Sequence, residues 1–363
     1  MRIESKRPHR GIALIIVMIV IVVLGVLAGG LAFSMKVETR LAQYGSFDSE
    51  LEWLGRSGVE LGRYVIAQSV NLPGEPWDSL CQKWAGGPRG TNAALDEVTL
   101  IDNELGHGLF SIKITDTERK LNINVVDERL LQQALLVVGV DSVEAATVVD
   151  SFMDWRDRDE NPRMNGAESE DYVAHPNPPF PPYVAKNGTI DHISELRLIR
   201  GVTEQMYWGS MGRERARQEF EHTNFGPSFT APEPSSGIGL VDLFTTISSG
   251  VLNINTASAA ALQLIPGVDP SLAQAIITTR AGPDGMDGTE DDMPFRSPSE
   301  LMNVPGMTPQ MTQGLSGVMG VRSMTFEVLV EARIGQYKRQ YVGLVRRNAN
   351  NPRDVQTLYF RWK

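Results

Sequence analysis

The chain has 363 residues and a formal net charge of −10, with 34 Lys and Arg against 44 Asp and Glu. Nucleic-acid binding depends on basic side chains that neutralise phosphates, so this balance argues against a nucleic-acid partner. The single cysteine, Cys81, excludes an intrachain disulfide, and other contacts must therefore hold the fold together.

An uncharged apolar stretch occupies residues 12–33, directly after the basic sequence Pro8-His9-Arg10-Gly11. Roughly 20 apolar residues of helix span the hydrocarbon core of a bilayer, so a single membrane span is predicted here. Basic residues ahead of the span favour a cytoplasmic N-terminus. Two interpretations follow: an ordinary signal anchor, or a prepilin-type leader, residues 1–11, that is cut after Gly11 while the apolar helix is kept. A single span argues against a transporter or a channel.

Helical periodicity continues beyond the span, because apolar residues recur every three to four positions without a proline. We therefore predict one long helix whose exported part covers residues 34–71 and ends at Asn71-Leu72-Pro73-Gly74. Glycines inside it are expected to weaken it by up to about 1 kcal/mol each relative to Ala. They are Gly45, Gly55, Gly58 and Gly62.

Strand patterns stand at both ends of the exported part. They cover residues 109–115, 326–334, 340–345 and 355–362. The economical layout is one small antiparallel sheet, with residues 72–120 as its first part and 321–363 as its last. A large, mainly α-helical insertion, residues 121–320, would divide it. Trp77 and Trp84 are expected to pin the loop-rich segment 72–106 to the core.

The insertion contains an internal repeat, with copies at 121–212 and 250–316 separated by a Pro-, Ser- and Gly-rich linker at 224–239. The matched blocks are Leu121-Asn-Ile-Asn124 with Leu252-Asn-Ile-Asn255, Gly139-Val-Asp141 with Gly267-Val-Asp269, and Ser194-Glu-Leu196 with Ser299-Glu-Leu301. Each copy resembles a helix–hairpin–helix unit. Such hairpins often hold DNA backbones, but the aspartate after each Gly-Val pair favours the alternative, in which the hairpins are packing units.

Several segments resemble protein K of the general secretion pathway. They are 152–163, Asn165-Gly-Ala-Glu168, Pro182-Tyr183, Asn187-Gly188 and 193–203. The resemblance implies an α+β, pilin-like fold and a minor pseudopilin of type II secretion, acting at the tip of the periplasmic pseudopilus. It further implies filament initiation, contact with cargo or the outer-membrane channel, and anchoring in the inner membrane. The implied partners are other minor pseudopilins and a prepilin peptidase that cleaves after Gly11, followed by N-methylation of Ile12.

Ile16 departs from the pattern of ordinary pilins, most of which carry glutamate at this fifth position of the mature chain. A carboxylate in the bilayer is tolerated when it has a partner, which in pilins is a neighbouring subunit's N-terminal amine. A subunit with nothing above it has no such amine to meet, so Ile16 suits the filament tip. Alternatively, Ile16 is simply one more lipid-facing residue.

Two acidic loops occupy equivalent places in the two repeats. Calcium takes six to eight oxygen ligands, and carboxylates that alternate along a Gly-bearing loop can supply several of them. We predict that calcium orders the insertion; the alternative is solvated loops with helix-capping aspartates. The candidate ligands are Asp154, Asp157, Asp159, Glu168 and Asp171 in the first loop and Asp284, Asp287, Asp291 and Asp292 in the second.

Catalytic motifs are missing from the sequence: it has no Gly-x-Ser-x-Gly elbow, no His-Glu-x-x-His, no phosphate loop and no dinucleotide fingerprint. We therefore predict a non-enzyme that acts by assembly. The alternatives are a membrane-anchored DNA-uptake protein that uses the hairpins, a minor pilin of a type IV pilus, and a periplasmic scaffold that is never processed.

Overall fold

The structure is a computed structural model that describes residues 10–70, 72, 74–209, 237–309, 311 and 317–363. Of the predicted leader, only Arg10 and Gly11 fall within these ranges. Most of the predicted linker 224–239 lies outside the described residues, as do the predicted ends of both repeats, 212 and 316.

Helix α1, Arg10–Ser69, is continuous over 60 residues and confirms the prediction of one long N-terminal helix. Its apolar side chains from Leu14 to Leu41 are exposed, whereas from Leu51 onwards one face is buried. Among the described residues, this is the one helix long and apolar enough to span a membrane. The helix thus joins a bare apolar half to a half that packs on a folded domain.

The exported half of α1 lies against a five-stranded antiparallel sheet with strand order β1-β2-β7-β8-β9. The strands are β1 Asn103–Leu105, β2 Gly108–Asp116, β7 Thr325–Ile334, β8 Tyr337–Arg347 and β9 Val355–Trp362. The four strands predicted from sequence are all present, and β1 is an additional short edge strand. The central β2–β7 pair brings together segments from opposite ends of the insertion.

Three glycines of α1 allow the helix to approach the sheet closely. A Cβ at Gly55 would lie 2.4 Å from the Tyr341 ring, and one at Gly58 would lie 2.4 Å from Val330 Cγ1. At Gly62 the nearest atom, a methyl carbon of Val328, would be 2.9 Å away. The helix propensity lost at these positions therefore permits direct packing of the helix backbone on β7 and β8.

The two tryptophans of the segment between α1 and β1 have different neighbours. Trp84 is 1 % exposed and meets Phe326 of β7 edge-on, with ring centroids 5.2 Å apart, as expected for a residue that pins this loop to the sheet. Trp77 is buried under the guanidinium of Arg296, which belongs to the second repeat. The segment therefore bridges the sheet and the insertion.

The insertion has its own apolar core, formed by both repeats together. Its helices are α2 Glu128–Val138, α3 Ser142–Arg156, α4 Ser169–Ala174, α5 Glu204–Trp208, Leu240–Leu243, Ala259–Leu262 and Pro270–Arg280. Short 3-10 turns lie at Lys83–Ala85 before β1, and then at Thr117–Arg119, Ile123–Val125, Ile193–Leu198 and Pro298–Asn303. Two-residue parallel ladders close the repeats: β3 Leu121–Asn122 with β4 Phe244–Thr245, and β5 Leu252–Asn253 with β6 Met319–Gly320.

Equivalent asparagines show that the duplication extends to individual hydrogen bonds. Asn124 donates its side-chain amide to the carbonyl of Ile190 (2.9 Å) and accepts the Ile190 N–H (2.8 Å). In the second repeat, Asn255 makes the same pair of bonds with Phe295, both at 2.9 Å. The Leu-Asn-Ile-Asn block therefore closes a loop in each copy by mimicking a strand pair.

The hairpin aspartates act as helix N-caps. Asp141 accepts the N–H groups of Val143 and Glu144, and Asp269 accepts the N–H of Leu272. These amides, at the starts of the second helices of the hairpins, are the groups that a phosphate would need. The capping arrangement supports the interpretation of the hairpins as packing units.

Candidate metal site

The end of α3 places a series of carboxylates around one point. Asp154 lies on the last turn of α3 and its side chain is fully buried, while Asp157 caps the C-terminus of that helix. Asp159 follows in the loop, and Glu168, 3 % exposed, is the N-cap of α4. Helix ends and a short loop thus bring acidic groups together that sequence reasoning had placed in one loop.

The carboxylates come close enough to share an ion. Single carboxylate oxygens of Asp157, Asp159 and Glu168 all lie within 4.8 Å of one another. Buried oxygens without a hydrogen-bond partner surround this point: Asp154 Oδ1, Asp157 Oδ1, both side-chain oxygens of Glu168, and Asn187 Oδ1. Arg163 already supplies one positive charge, with its Nε 3.6 Å from Asp154 Oδ1. Because unpaired buried carboxylate oxygens are costly, a bound cation or protons would stabilise the cluster further.

The raised pKa values of these carboxyl groups also indicate that a cation or protons would stabilise the cluster. Burial raises the pKa of Glu168 to about 7, and the neighbouring carboxylates of Asp154 and Asp157 add to the rise. Burial also raises the pKa of Asp154, partly opposed by the Arg163 N–H that its carboxylate accepts. The pKa of Asp157 is raised by burial and then by Asp159. Like charges that converge in a buried place favour the charged forms only when a cation is present.

Two further residues shape the cluster, and sequence reasoning did not assign them to it. A Cβ at Gly166 would lie 1.8 Å from Asp154 Oδ2, so only glycine leaves room for that carboxylate. Asn187, with a positive φ of 48°, donates its side-chain amide to the carbonyl of Asp159 (3.1 Å) and to Glu160 Oε1 (2.8 Å). The signal that could have found them is the Asn-Gly dipeptides 165–166 and 187–188, which predict tight turns.

An aromatic group holds the framework of this site. The ring of Trp155 meets Tyr172 of α4 edge-on at 5.3 Å between centroids, and Tyr172 stacks on Tyr183 at 5.2 Å. The N–H of Gly188 donates to the carbonyl of Trp155 at 3.3 Å, which ties the Asn187 turn to α3. The carboxylates therefore project from backbone that is fixed by packing.

The donor set fits calcium. Carboxylate and amide oxygens are hard ligands, and Ca²⁺ accepts six to eight of them in a flexible geometry. Asp154, Asp157, Asp159, Glu168 and Asn187 would hold the ion. Asp171, which the sequence also suggested, has a different role here: its Oδ2 accepts the N–H of Glu168 at 3.2 Å and completes the capping box of α4.

The second acidic loop follows Pro270–Arg280 and so occupies the equivalent position, but its carboxylates have partners within the protein. Both oxygens of Asp287 accept from Arg280, at 2.9 and 2.6 Å. Asp292 accepts the N–H groups of Gly288 and Thr289, and Asp291 accepts the N–H of Asp284. The carboxylate of Asp284 accepts the N–H of Met286. In the part of the chain that the structure describes, the cluster of oxygens that could share an ion is at the first loop.

The residues singled out near the N-terminus lie on one continuous helix. Gly11 and Ile12 belong to the first turn of α1, and Ile16 lies two residues into the part whose side chains are described. Ile16 is 56 % exposed, like its apolar neighbours along the helix. The backbone thus passes through the predicted processing point without a break.

Taken together, an apolar N-terminal helix that continues onto a small antiparallel sheet defines the class of pilin-like proteins. A family description, type II secretion system (T2SS) protein K, matches residues 110–208. A helix–hairpin–helix motif matches residues 248–319, which form the second repeat.

Curated relatives are similar along most of the chain. Type II secretion system protein K of Pseudomonas aeruginosa is 24 % identical over 94 % of this chain and 90 % of its own length. The Klebsiella pneumoniae protein of the same name is 27 % identical over 55 % of this chain and 60 % of its own length.

The fold is shared with a chain in the crystal structure of the GspK–GspI–GspJ complex of the enterotoxigenic Escherichia coli type 2 secretion system. The similarity has a TM-score of 0.59 at 16 % identity and covers 89 % of this chain and 99 % of that one. The resemblance predicted from sequence is confirmed. Along most of its length the chain is therefore similar to type II secretion system protein K.

Proposed function

We propose that this chain is a minor pseudopilin that stands at the tip of the periplasmic pseudopilus, helps to initiate the filament, and contacts cargo or the outer-membrane channel. The observation that carries the proposal is the insertion, residues 117–324, which has its own core beside a small pilin-like sheet. Such bulk does not fit along a close-packed shaft. It fits at an end, where one side is free.

The N-terminal helix supports assembly in the inner membrane. Its exposed apolar half would cross the bilayer with the N-terminus in the cytoplasm and would pack against the helices of other minor pseudopilins. A prepilin peptidase would cut after Gly11, and Ile12 would then be methylated. With Ile16 in place of a glutamate, the uncharged stretch 12–33 of the helix has no carboxylate to offer to a subunit above it.

Calcium binding is part of the same proposal. The orphan oxygens of Asp154, Asp157, Glu168 and Asn187 support a resident ion at the first acidic loop. The ion would neutralise the carboxylates and fix the loop between α3 and α4, which lies on the surface of the insertion. For the second loop, the partners already present within the protein weaken the prediction of an ion.

Two experiments test the assembly proposal. Intact-mass analysis of the membrane-inserted protein should find a chain that starts at methylated Ile12. Gly11→Val should retain Met1, while Gly25→Val, at an open position of the same helix, should be processed normally. A wild-type chain that still begins with Met1 would contradict the proposal.

The position in the filament needs a separate measurement. Immunogold labelling of the insertion on isolated filaments should mark one end only. Label distributed along the shaft would rule out the tip. A gel shift of DNA by the detergent-solubilised chain at low salt would instead favour the DNA-uptake alternative.

A further inference from the structure

A second cluster of buried polar groups, which includes three carboxyl groups, lies where the insertion joins the sheet and is separate from the first acidic loop. We call it the junction cluster, and its members are between 0 and 3 % exposed. They are Asp78, Asp116, Glu118, Asn253, Thr256, Ser323 and Arg347. Because water does not reach these groups, each charge must be balanced inside the protein or carry a proton.

Glu118 connects three segments of the chain. It lies in the 3-10 turn Thr117–Arg119, where the chain leaves β2 for the insertion. One carboxyl oxygen accepts the N–H of Ser249, which links the two repeats, at 3.3 Å. The other accepts the N–H of Met324, directly before β7, at 2.5 Å. The carboxyl group thus ties the entry, the middle and the exit of the insertion together.

Asp116 makes parallel connections to the second repeat. Its Oδ2 accepts the hydroxyl groups of Thr256 (2.5 Å) and Ser323 (2.6 Å) and the side-chain amide of Asn253 (3.2 Å). Its Oδ1 accepts the N–H of Glu118 at 2.8 Å. These donors are uncharged, so they stabilise the carboxylate without neutralising it.

The cation of the junction cluster is already engaged. Arg347 forms a two-pronged pair with Asp78, with Nη1–Oδ2 at 2.5 Å and Nη2–Oδ1 at 2.9 Å. Ser249, between the repeats, and Asn253 and Thr256 of the second repeat face the acids, and none of them carries a charge. The ammonium of Lys120, just beyond the turn, donates to the carbonyl of Val241 at 2.7 Å. The guanidinium of Arg347 is therefore paired with Asp78, while the donors named here for Asp116 and Glu118 are uncharged.

We propose that Glu118 and Asp116 form a proton-dependent latch, which holds the second repeat against the sheet while a proton is bound and loosens when it is lost. In the acid form, the proton removes the negative charge of Glu118, and its carboxyl oxygens still accept the N–H groups of Ser249 and Met324. In the ionised form, two adjacent negative charges stand in a dry junction, and opening to water relieves them.

The direction of the pH effect follows from linkage. Burial, together with the neighbouring Asp116, raises the pKa of Glu118 to about 7, and burial raises the pKa of Asp116 as well. A closed state with a raised acid pKa binds the proton more tightly than the open state. The stabilisation is therefore present below the ordinary glutamate pKa of about 4.5 and is lost as the pH rises to about 7.

Hydrogen exchange of the full chain in detergent tests the latch. After correction for the intrinsic pH dependence of exchange, the ratio of open to closed forms should rise with increasing pH. The amides concerned are those of 117–120, 248–256 and 322–325. The expected rise is up to about tenfold per pH unit between about pH 5 and pH 7, with a plateau above. Amides of α2 and α3 in the same samples should not follow this curve.

Glu118→Gln should abolish the pH dependence, since the amide cannot ionise but keeps the shape and an acceptor. Glu104→Gln, at an exposed glutamate of β1, is the matched control and should behave as wild type. A flat wild-type profile at the junction, or an unchanged slope in Glu118→Gln, would overturn the proposal. If that variant does not fold, the wild-type comparison of the junction with α2 and α3 still decides the question.

Discussion

The two acidic loops start from the same fold and end with different electrostatics. Both follow the second helix of a hairpin, and both helices end in an arginine that donates to carbonyls of the preceding Leu-Asn-Ile-Asn turn. Arg156 uses its two donors for Asn124 and Val126, at 2.8 Å each. Arg280 donates to two carbonyls as well, but it also binds both oxygens of Asp287.

The two loops differ in whether the arginine that ends the helix supplies its positive charge to the carboxylates. In the second repeat the cation is part of the chain, and the carboxylates find amide partners. In the first repeat the guanidinium of Arg156 contacts two carbonyls and the Phe152 ring, and several carboxylate oxygens of the acidic loop have no hydrogen-bond partner. An acidic sequence alone therefore does not show which loop could hold calcium; the candidate is the loop whose own donors leave carboxylate oxygens unpaired.

The largest effect is expected when the internal cation of the second loop is removed. Arg280→Ala leaves a carboxylate and two carbonyls without their partner, which should cost about 3–5 kcal/mol. Arg156→Ala loses bonds to two neutral carbonyls and a contact with the Phe152 ring, and it should cost about 1.5–3 kcal/mol. Guanidinium denaturation of the full chain in detergent, followed by tryptophan fluorescence, measures both. Equal losses would show that Asp287 does not depend on Arg280.

Removal of calcium should affect the first loop alone. With calcium at 100 times its dissociation constant, the ion should stabilise the insertion by about 2.7 kcal/mol. Chelation should therefore lower the thermal midpoint and raise amide exchange across 157–168, while exchange across 284–292 stays unchanged. Magnesium, which requires a tighter octahedral geometry, is the control ion and should restore less protection. Identical thermal midpoints with calcium and with chelator would contradict calcium binding at this loop.

A single methyl group tests the geometry of the site. Gly166→Ala places a carbon where Asp154 Oδ2 lies, so the carboxylate must move; overpacking of this kind costs about 1–3 kcal/mol. Calcium affinity, measured by calorimetry, should fall about tenfold or more. Gly188→Ala is the matched control, because its nearest neighbour would be 3.7 Å away, and its affinity should stay at the wild-type value.

The smallest expected effect is a pH dependence of the calcium response. Without the ion, the pKa of Glu168 is raised to about 7, so the chelated chain is stabilised at low pH and loses that stability as the pH rises through 7. The gap between calcium and chelator midpoints should therefore widen from about pH 5 to about pH 7.5. Glu168→Gln should remove most of this widening of the gap. A gap that narrows with rising pH would contradict the assignment.

Local patterns predicted much of the fold. The long helix, four strands and the repeat could be read from sequence because apolar spacing and turn residues are local signals. The same patterns could not reveal β1 or the two-residue parallel ladders, which are too short to leave a period. The sequence could not explain why glycine occupies positions 55 and 58, because the side chains that pack there lie on strands nearly 300 residues further along the chain.

The sequence predicted only part of the candidate metal site, because some of its residues come together only in the fold. The carboxylates of the first loop form a visible run, whereas Asn187 joins them through a turn that sequence cannot place beside α3. The opposite roles of the two loops depend on one contact, Arg280 with Asp287, which no composition argument shows. The junction cluster was missed altogether, since Asp78, Asp116 and Arg347 are ordinary charged residues until folding buries them together.

The points where the insertion leaves and re-enters the sheet are neighbours. Asp116 at the end of β2 faces Phe326 near the start of β7 in the antiparallel register. A tight turn between these two strands would therefore complete an ordinary hairpin and leave the ladder and the helix above it unaltered. Exchange of the whole helical module therefore requires cuts at two neighbouring points only, one on each strand of a single hairpin position.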